Sequence, residues 1–195
     1  KIWFDHNIQR INLEQRGDLL GEFKGEDKIL VIKKDGSTKV VDPDPSLHFS
    51  DDLIKIEKWV PNKPISAIYF DPDKNRNFLK RFLIENHKKE DSFINPDKKL
   101  IFINTDWRPI VSINFYKSKG EDISEGVEIN IEDFISVKGY KAQGNQVTDR
   151  KIKNIEIKKL LPYNENDIDI VEIEVKDEEK IEIEDQGSNQ IKMDI

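Results

Sequence analysis

The sequence predicts an all-β chain of many short strands, with few or no helices, in a closed or radial architecture. One device carries most of that reading. An apolar run, 65–70, meets the cluster Asp71-Pro72-Asp73-Lys74-Asn75, and a second apolar run, 78–84, follows with Lys80 and Arg81 near its start. Pro fixes φ and Asx side chains bond their own backbone, so the cluster is a turn. The β-rich flanks make it a hairpin. Versions of this hairpin recur along the chain, and their cations lie roughly 30 to 40 residues apart, a spacing typical of repeat and propeller architectures. No stretch keeps a helical period beyond a couple of turns. Open edges aggregate, so many short strands call for closure or radial repetition.

Taken in order, residues 1–13 form the first hairpin, turning at Asp5-His6-Asn7 and carrying Arg10. Residues 14–18 are a turn, 19–23 a short strand and 24–26 another turn. Residues 28–33 and 37–41 make the second hairpin around Asp35-Gly36, the strongest short hairpin signal, with Lys39 on its second arm. The run Ile29-Leu30-Val31-Ile32 does not alternate, so both its faces are expected inside. Two prolines make 41–46 a loop. Residues 53–60 alternate as a strand with Ile54, Ile56 and Trp59 facing in, and 61–64 break it. The hairpin with Arg76, Lys80 and Arg81 follows. Residues 86–91 read as loop or one helical turn, and 95–97 as a turn. Residues 100–115 read as a further hairpin, turning at Thr105-Asp106 and carrying Arg108. A polar loop spans 117–126, and 127–131 alternate as a strand. Residues 134–147 read as a worn fifth copy with Lys138 and Lys141 around Gly139, and 151–160 as a last strand.

The formal net charge is -7, unevenly placed. Residues 163–195 hold 12 acids against 3 lysines, and residues 1–162 carry a net +2. The chain thus divides into a mildly basic body, 1–162, and an acidic C-terminal tail, 163–195. The absence of cysteine excludes a disulfide framework and Cys-ligated zinc, and fits a reducing compartment. No apolar run approaches the roughly 20 residues of a membrane helix, and no signal peptide is visible. Lys1 opens inside a strand pattern, so a fragment of a longer protein is expected. The tail alternates Ile with acid at 168–175 and 181–184, as a solvated acidic run or an added edge strand.

Other signals point nowhere. Asp71-x-Asp73-x-Asn75 lacks the Gly and closing Glu of a calcium loop. His6, His48 and His87 have no metal-ligand spacing. There is no phosphate-cradling Gly loop and no nucleophile elbow. Trp3, Trp59 and Trp107 read as packing residues.

Three phrases carry a resemblance. F-L-K-R-F-L-I-E (78–85), T-D-W-R-P (105–109) and F-I-S-V-K-G-Y-K-A-Q-G-N-Q-V-T (134–148) resemble the C-terminal domain of the A subunit of bacterial DNA topoisomerase IV. The opening segment, 1–21, is similar as well. The resemblance implies a β-pinwheel, a propeller-like ring of about three to four blades here, the first one incomplete. It implies a DNA-binding and DNA-bending accessory segment of a type IIA topoisomerase, which presents duplex for ATP-dependent strand passage in relaxation and decatenation. The partners implied are double-stranded DNA, the B subunit of the enzyme, which is its ATPase, and another copy of the A subunit. The two protein partners would be met through a preceding N-terminal region. ATP and Mg would sit on other domains of the parent, with no cofactor or metal on this chain and a cytoplasmic, nucleoid-associated location. The family's catalytic tyrosine follows an arginine. Tyr69, Tyr116, Tyr140 and Tyr163 follow Ile, Phe, Gly and Pro, so no catalytic residue is expected here. The gyrase box of paired arginines is absent; Lys141–Val147 keeps one lysine and a glycine, which favours bending over full wrapping.

A sequence-neutral DNA module needs phosphate contacts rather than base readout. The candidates are Arg10, Lys39, Arg76, Lys80, Arg81, Arg108, Lys138 and Lys141. Neighbours on a strand point to opposite faces, so of Lys80 and Arg81 only one is expected at phosphate, with Arg81 favoured. Carboxylates of the tail would compete with phosphate for these cations, and truncation before Asn164 would then tighten DNA binding. The rival reading is a propeller-like protein-interaction scaffold, separable by salt-sensitive duplex binding. A stand-alone enzyme finds no convergent catalytic group.

Overall fold

The computed structural model describes residues 1–85, 89–117 and 126–163. The acidic tail beyond Tyr163, most of the 117–126 loop and residues 86–88 lie outside that set.

Three hairpins form where Asp-headed turns interrupt apolar runs. β1 (Ile2–Asp5) pairs with β2 (Arg10–Asn12), β4 (Ile29–Lys33) with β5 (Ser37–Val41), and β7 (Ile65–Asp71) with β8 (Arg76–Phe82), all antiparallel. In each bend a carboxylate accepts a backbone N–H: Asp5 from Asn7 at 2.9 Å, Asp35 from Ser37 at 2.8 Å, Asp71 from Lys74 at 3.3 Å. The residue just before each second strand is left-handed, with φ of 51° at Gln9, 82° at Gly36 and 50° at Asn75. At Gly36 a Cβ would also sit 2.6 Å from Ile94 Cγ1, so glycine is required there.

A third strand then returns to the first strand of each hairpin. β3 (Asp18–Gly21) pairs with β1, β6 (Leu53–Lys58) with β4, and β10 (Lys99–Asn104) with β7. β11 (Arg108–Phe115) takes β12 (Val127–Asn130) on one side and β14 (Ile152–Leu161) on the other. Two further strands join out of turn: β9 (Asp91–Ser92) pairs with β5, and β13 (Asn145–Thr148) with β8. The four sheets have the orders β2-β1-β3, β6-β4-β5-β9, β10-β7-β8-β13 and β12-β11-β14. β9 lies in sequence inside the unit of the third sheet, and β13 inside that of the fourth. Each of the two middle sheets therefore borrows a strand from the unit that follows it. A shorter version of the link joins the first two sheets, where Phe49 N–H donates to Gln9 O at 2.9 Å. This is an all-β, β-pinwheel-like fold of four blades. Among the described residues the first and last have three strands, and one short helix, α1 (Ile131–Phe134), follows β12. Among the described residues no helix is long and apolar enough to cross a membrane.

The blades pack face to face in chain order. Ile2, Phe4 and Ile11 of the first meet Ile29 and Val31 of the second, with Phe49. Leu30, Ile32 and Val40 on the second blade's other face meet Ile65, Ala67, Tyr69, Phe78 and Phe82 of the third. Ile68 and Leu79 on the third blade's far face meet Val111, Ile113 and Phe115 of the fourth. The continuous apolar run of β4 is thereby explained: alternate residues serve two different interfaces.

Three expectations are corrected. Residues 100–115 are no hairpin, because β10 belongs to the third blade and β11 to the fourth. Thr105-Asp106 is a real turn, with Asp106 N–H donating to Asn104 Oδ1 at 2.8 Å, but it connects blades. The segment 134–147 is no hairpin copy either: it runs from α1 to β13 and edges the third blade. Ile54 points outward, at 38% exposure, because it is the extra residue of a bulge between Leu53, opposite Lys33, and Lys55, opposite Ile32. Ile56 packs inward, and Trp59 lies against the core between the second and third blades.

Candidate nucleic-acid interface

The fold distributes the eight candidate cations over several places. Arg10 opens β2, exposed, with Nη1 donating to Ser46 O at 3.4 Å. Lys39 is half-buried on β5 and lines a cavity of about 200 Å³ with Val31, Lys33, Leu47, His48 and Glu90. Arg76 opens β8 and pairs with Asp149 at 3.5 Å. Lys138 and Lys141 are placed on the connector into β13. Lys138 Nζ donates to Asn145 Oδ1 at 3.2 Å; Lys141 Nζ reaches Asp91 Oδ1 at 2.5 Å and Ser92 O at 2.7 Å.

Lys80 and Arg81 are internal, at 1% and 4% exposure. They do point to opposite faces of β8, but both faces are covered by neighbouring blades. Lys80 Nζ donates to Phe93 O and Tyr140 O, each at 2.8 Å, and lies 4.9 Å from the Phe82 ring centroid. Burial, with Lys141 and Lys98 adding repulsion, pulls its pKa down to about 8. Arg81 faces the fourth blade, where its Nη2 donates to Trp107 O at 3.4 Å and lies 4.0 Å from Glu132. Arg108 shares that carboxylate at 2.5 Å and donates to Pro162 O at 3.3 Å. Lys80 and Arg81 are thus withdrawn from solvent in this fold and tie blades together, and Arg108 is engaged in the same ion cluster. Phosphate has no approach to the first two.

Tyr140 is equally structural. Its hydroxyl bonds Thr38 Oγ1 and donates to Asp91 O, both at 2.8 Å, and burial raises its pKa to about 12. The carboxylates of Asp71, Asp73 and Asp97 come within 4.8 Å of one another. Lys98 bonds Asp71 at 2.9 Å, and that hydrogen bond holds the Asp71 carboxyl below its ordinary value. The group is partly neutralised from within the chain.

A feature that sequence reasoning missed lies on the edge strands. β6, β10 and β14 each carry a bulge against the end of their blade's first strand, at Ile54, Ile101 and Lys153. The pairs of residues two to three positions before these are Asp51-Asp52, Lys98-Lys99 and Arg150-Lys151 in the respective blades. A groove of about 480 Å³ runs between the second and third blades, lined by Lys34, Ile54, Lys98, Lys99 and Ile101. Another, of about 560 Å³, lies between the third and fourth, lined by Asn75, Asn77, Lys99, Ile101, Arg150 and Lys151. The start of β10 forms a wall of both. The signal that could have found them was the matching of D-D-L-I, K-K-L-I and R-K-I-K, which only the strand register aligns.

The protein family that matches the chain is the topoisomerase C-terminal domain of the Bacteroidota, over residues 10–159. No curated protein and no solved structure matches it. The matched span covers all four blades but for the start of the first and the end of the last, and the chain therefore belongs to the topoisomerase C-terminal domain family.

Proposed function

We propose that this chain is the non-catalytic, DNA-binding and DNA-bending C-terminal domain of the A subunit of a type IIA topoisomerase, of the topoisomerase IV kind. It holds a duplex segment beside the cleavage core and presents it for ATP-dependent strand passage. The observation that carries this is membership of the topoisomerase C-terminal domain family on a body of repeated blades with net charge +2. A half-buried Tyr140 with a raised pKa, its hydroxyl bonded to Thr38 and Asp91, suits a structural role rather than attack on phosphorus. Partnership with the enzyme's B subunit, with another copy of the A subunit, and a nucleoid location follow from the same reading. ATP and Mg belong to other domains of the parent enzyme.

The contacts required are to phosphate, so affinity depends steeply on salt and little on sequence. Bending a 20 to 30 bp site costs on the order of 1 to 6 kcal/mol, which several cations must offset. The test is fluorescence anisotropy with unrelated duplexes of about 30 bp, between about 50 and 200 mM salt. Comparable affinities for all sequences, with log K falling linearly in log salt, are expected. Salt-independent binding, or none, would refute the reading and favour a protein-interaction scaffold. Deleting the segment from the parent enzyme should impair decatenation while leaving DNA cleavage intact.

A further inference from the structure

We propose that the duplex backbone is held at the bulged edge strands of the third and fourth blades, in the two grooves that meet at the start of β10, rather than at the hairpin tips. This deepens the DNA-binding reading and rests on it. Four observations place the site. First, β10 ends its sheet, so one side of its backbone carries no strand partner. Second, the bulge at Ile101 turns that side chain outward, at 38% exposure, and opens the wall common to both grooves. Third, Lys34, Lys99 and Lys151 are exposed and line these grooves, and none has a carboxylate within 4 Å among the described residues; Lys151 Nζ lies 5.1 Å from the ring centroid of Tyr116, which is itself 50% exposed, unlike the buried Phe115 beside Arg150. Cations already bound to acids gain little by exchanging them for phosphate, so unpaired ones are the better contacts. Fourth, the pair of charges ahead of the bulged strand changes from Asp51-Asp52 in the second blade to Lys98-Lys99 and Arg150-Lys151 in the next two. The positive field is therefore concentrated on one side of the blade series.

The acids nearby leave this band open on the side of the third and fourth blades; on the second-blade side Asp52, next to Asp51, accepts the Lys34 N–H through its carbonyl at 2.9 Å. Asp149 pairs with Arg76 and Asp71 with Lys98, while Asp73 and Asp97 cluster with Asp71 at the β7–β8 turn. Lys98 is engaged with Asp71, and Arg150 lies 4.6 Å from the Phe115 ring centroid. Both are better left intact as structural groups. Leu100, Ile101 and Ile152 offer apolar surface between the lysines, which suits the hydrocarbon faces of deoxyribose beside each phosphate. Lysine on an open edge also blocks strand addition, and the experiment separates that role.

The test uses the whole chain with Lys34→Gln, Lys99→Gln and Lys151→Gln combined. The control is Arg10→Gln, Lys39→Gln and Lys138→Gln, which removes the same charge elsewhere. Thermal unfolding and sedimentation check folding and self-association, and duplex anisotropy is read against salt. Each lost phosphate contact lowers the salt slope by about 0.9. The groove triple should therefore be shallower by about 2 to 3 and bind at least about tenfold more weakly near 100 mM salt, with the control changed far less. Equal weakening in both triples overturns the proposal, since only net charge then matters. Steep binding retained by the groove triple also overturns it while leaving the DNA-binding reading intact; if that variant self-associates as well, the lysines are edge guards. Absence of duplex binding by the unmodified chain removes both.

Discussion

Lys80→Met asks whether an ammonium sealed between two blades behaves as the packing demands. Lys80 carries its charge at 1% exposure, held by two carbonyl oxygens and two aromatic rings. Burial lowers its pKa from 10.5 to about 8. At 1.36 kcal/mol per unit, keeping the charge inside costs about 3 kcal/mol. A neutral amine retains two N–H groups, enough for both carbonyls, so shedding the proton removes the penalty without losing the bonds. Below about pH 8 the side chain is protonated in both the folded and unfolded states, and the fold bears the full cost. Between about pH 8 and 10.5 the unfolded chain keeps the proton and the folded one does not. Stability therefore rises across that window, is complete above it, and is lost as pH falls back through about 8. Methionine fills similar volume but leaves both carbonyls without a donor, a loss of about 1–3 kcal/mol that is offset at pH 7 by relief of the charge penalty, so the two proteins are expected near parity there. Urea unfolding of both proteins from about pH 7 to 10.5 gives the difference, in which titrating groups not coupled to Lys80 cancel. The gap should widen by up to about 3 kcal/mol on raising the pH. A gap that stays constant would mean that Lys80 titrates normally, and the account of a charge buried between blades would be wrong.

Glu132→Gln withdraws the carboxylate that faces both Arg81 and Arg108. It should destabilise the chain by about 1–3 kcal/mol in chemical denaturation, and Arg108→Ala in the same background should add less than it does alone. Gly144→Ala would place a Cβ 2.1 Å from Leu79 O, so the borrowed strand β13 must shift. A loss of about 1–3 kcal/mol is expected, with earlier amide exchange along β13 than elsewhere.

The hairpins were legible because their cause is local. Asp5, Asp35 and Asp71 head bends whose chemistry needs no distant partner. The connection at Thr105-Asp106 misled because its turn chemistry is equally sound; Asn104 and Asp106 make an Asx bend. Whether the strands on either side of a bend pair, or part to different sheets, depends on surfaces far away in sequence. β9 is two polar residues and gives no strand signal at all, yet Phe93 beside it fills the core between two blades. The phrase F-L-K-R-F around Lys80 mixes apolar and basic residues as a half-exposed strand would. Only the presence of a blade on each side makes both cations internal. Bulges at Ile54 and Ile101 escaped notice for a similar reason, since an extra residue is defined only against its partner strand. The basic grooves that depend on them were invisible with them.

Borrowed strands bear on how the chain is made. A ribosome releases β4, β5 and β6 well before Asp91 and Ser92 emerge, and β7 and β8 well before 145–148. No blade of the middle pair can finish when its own hairpin leaves the exit tunnel. Each waits, one flank open, for the following unit to be translated. An exposed flank of that kind recruits stray strands from other nascent chains. Pausing between successive units during translation should therefore lower the yield of soluble protein more than pausing after the last blade is out.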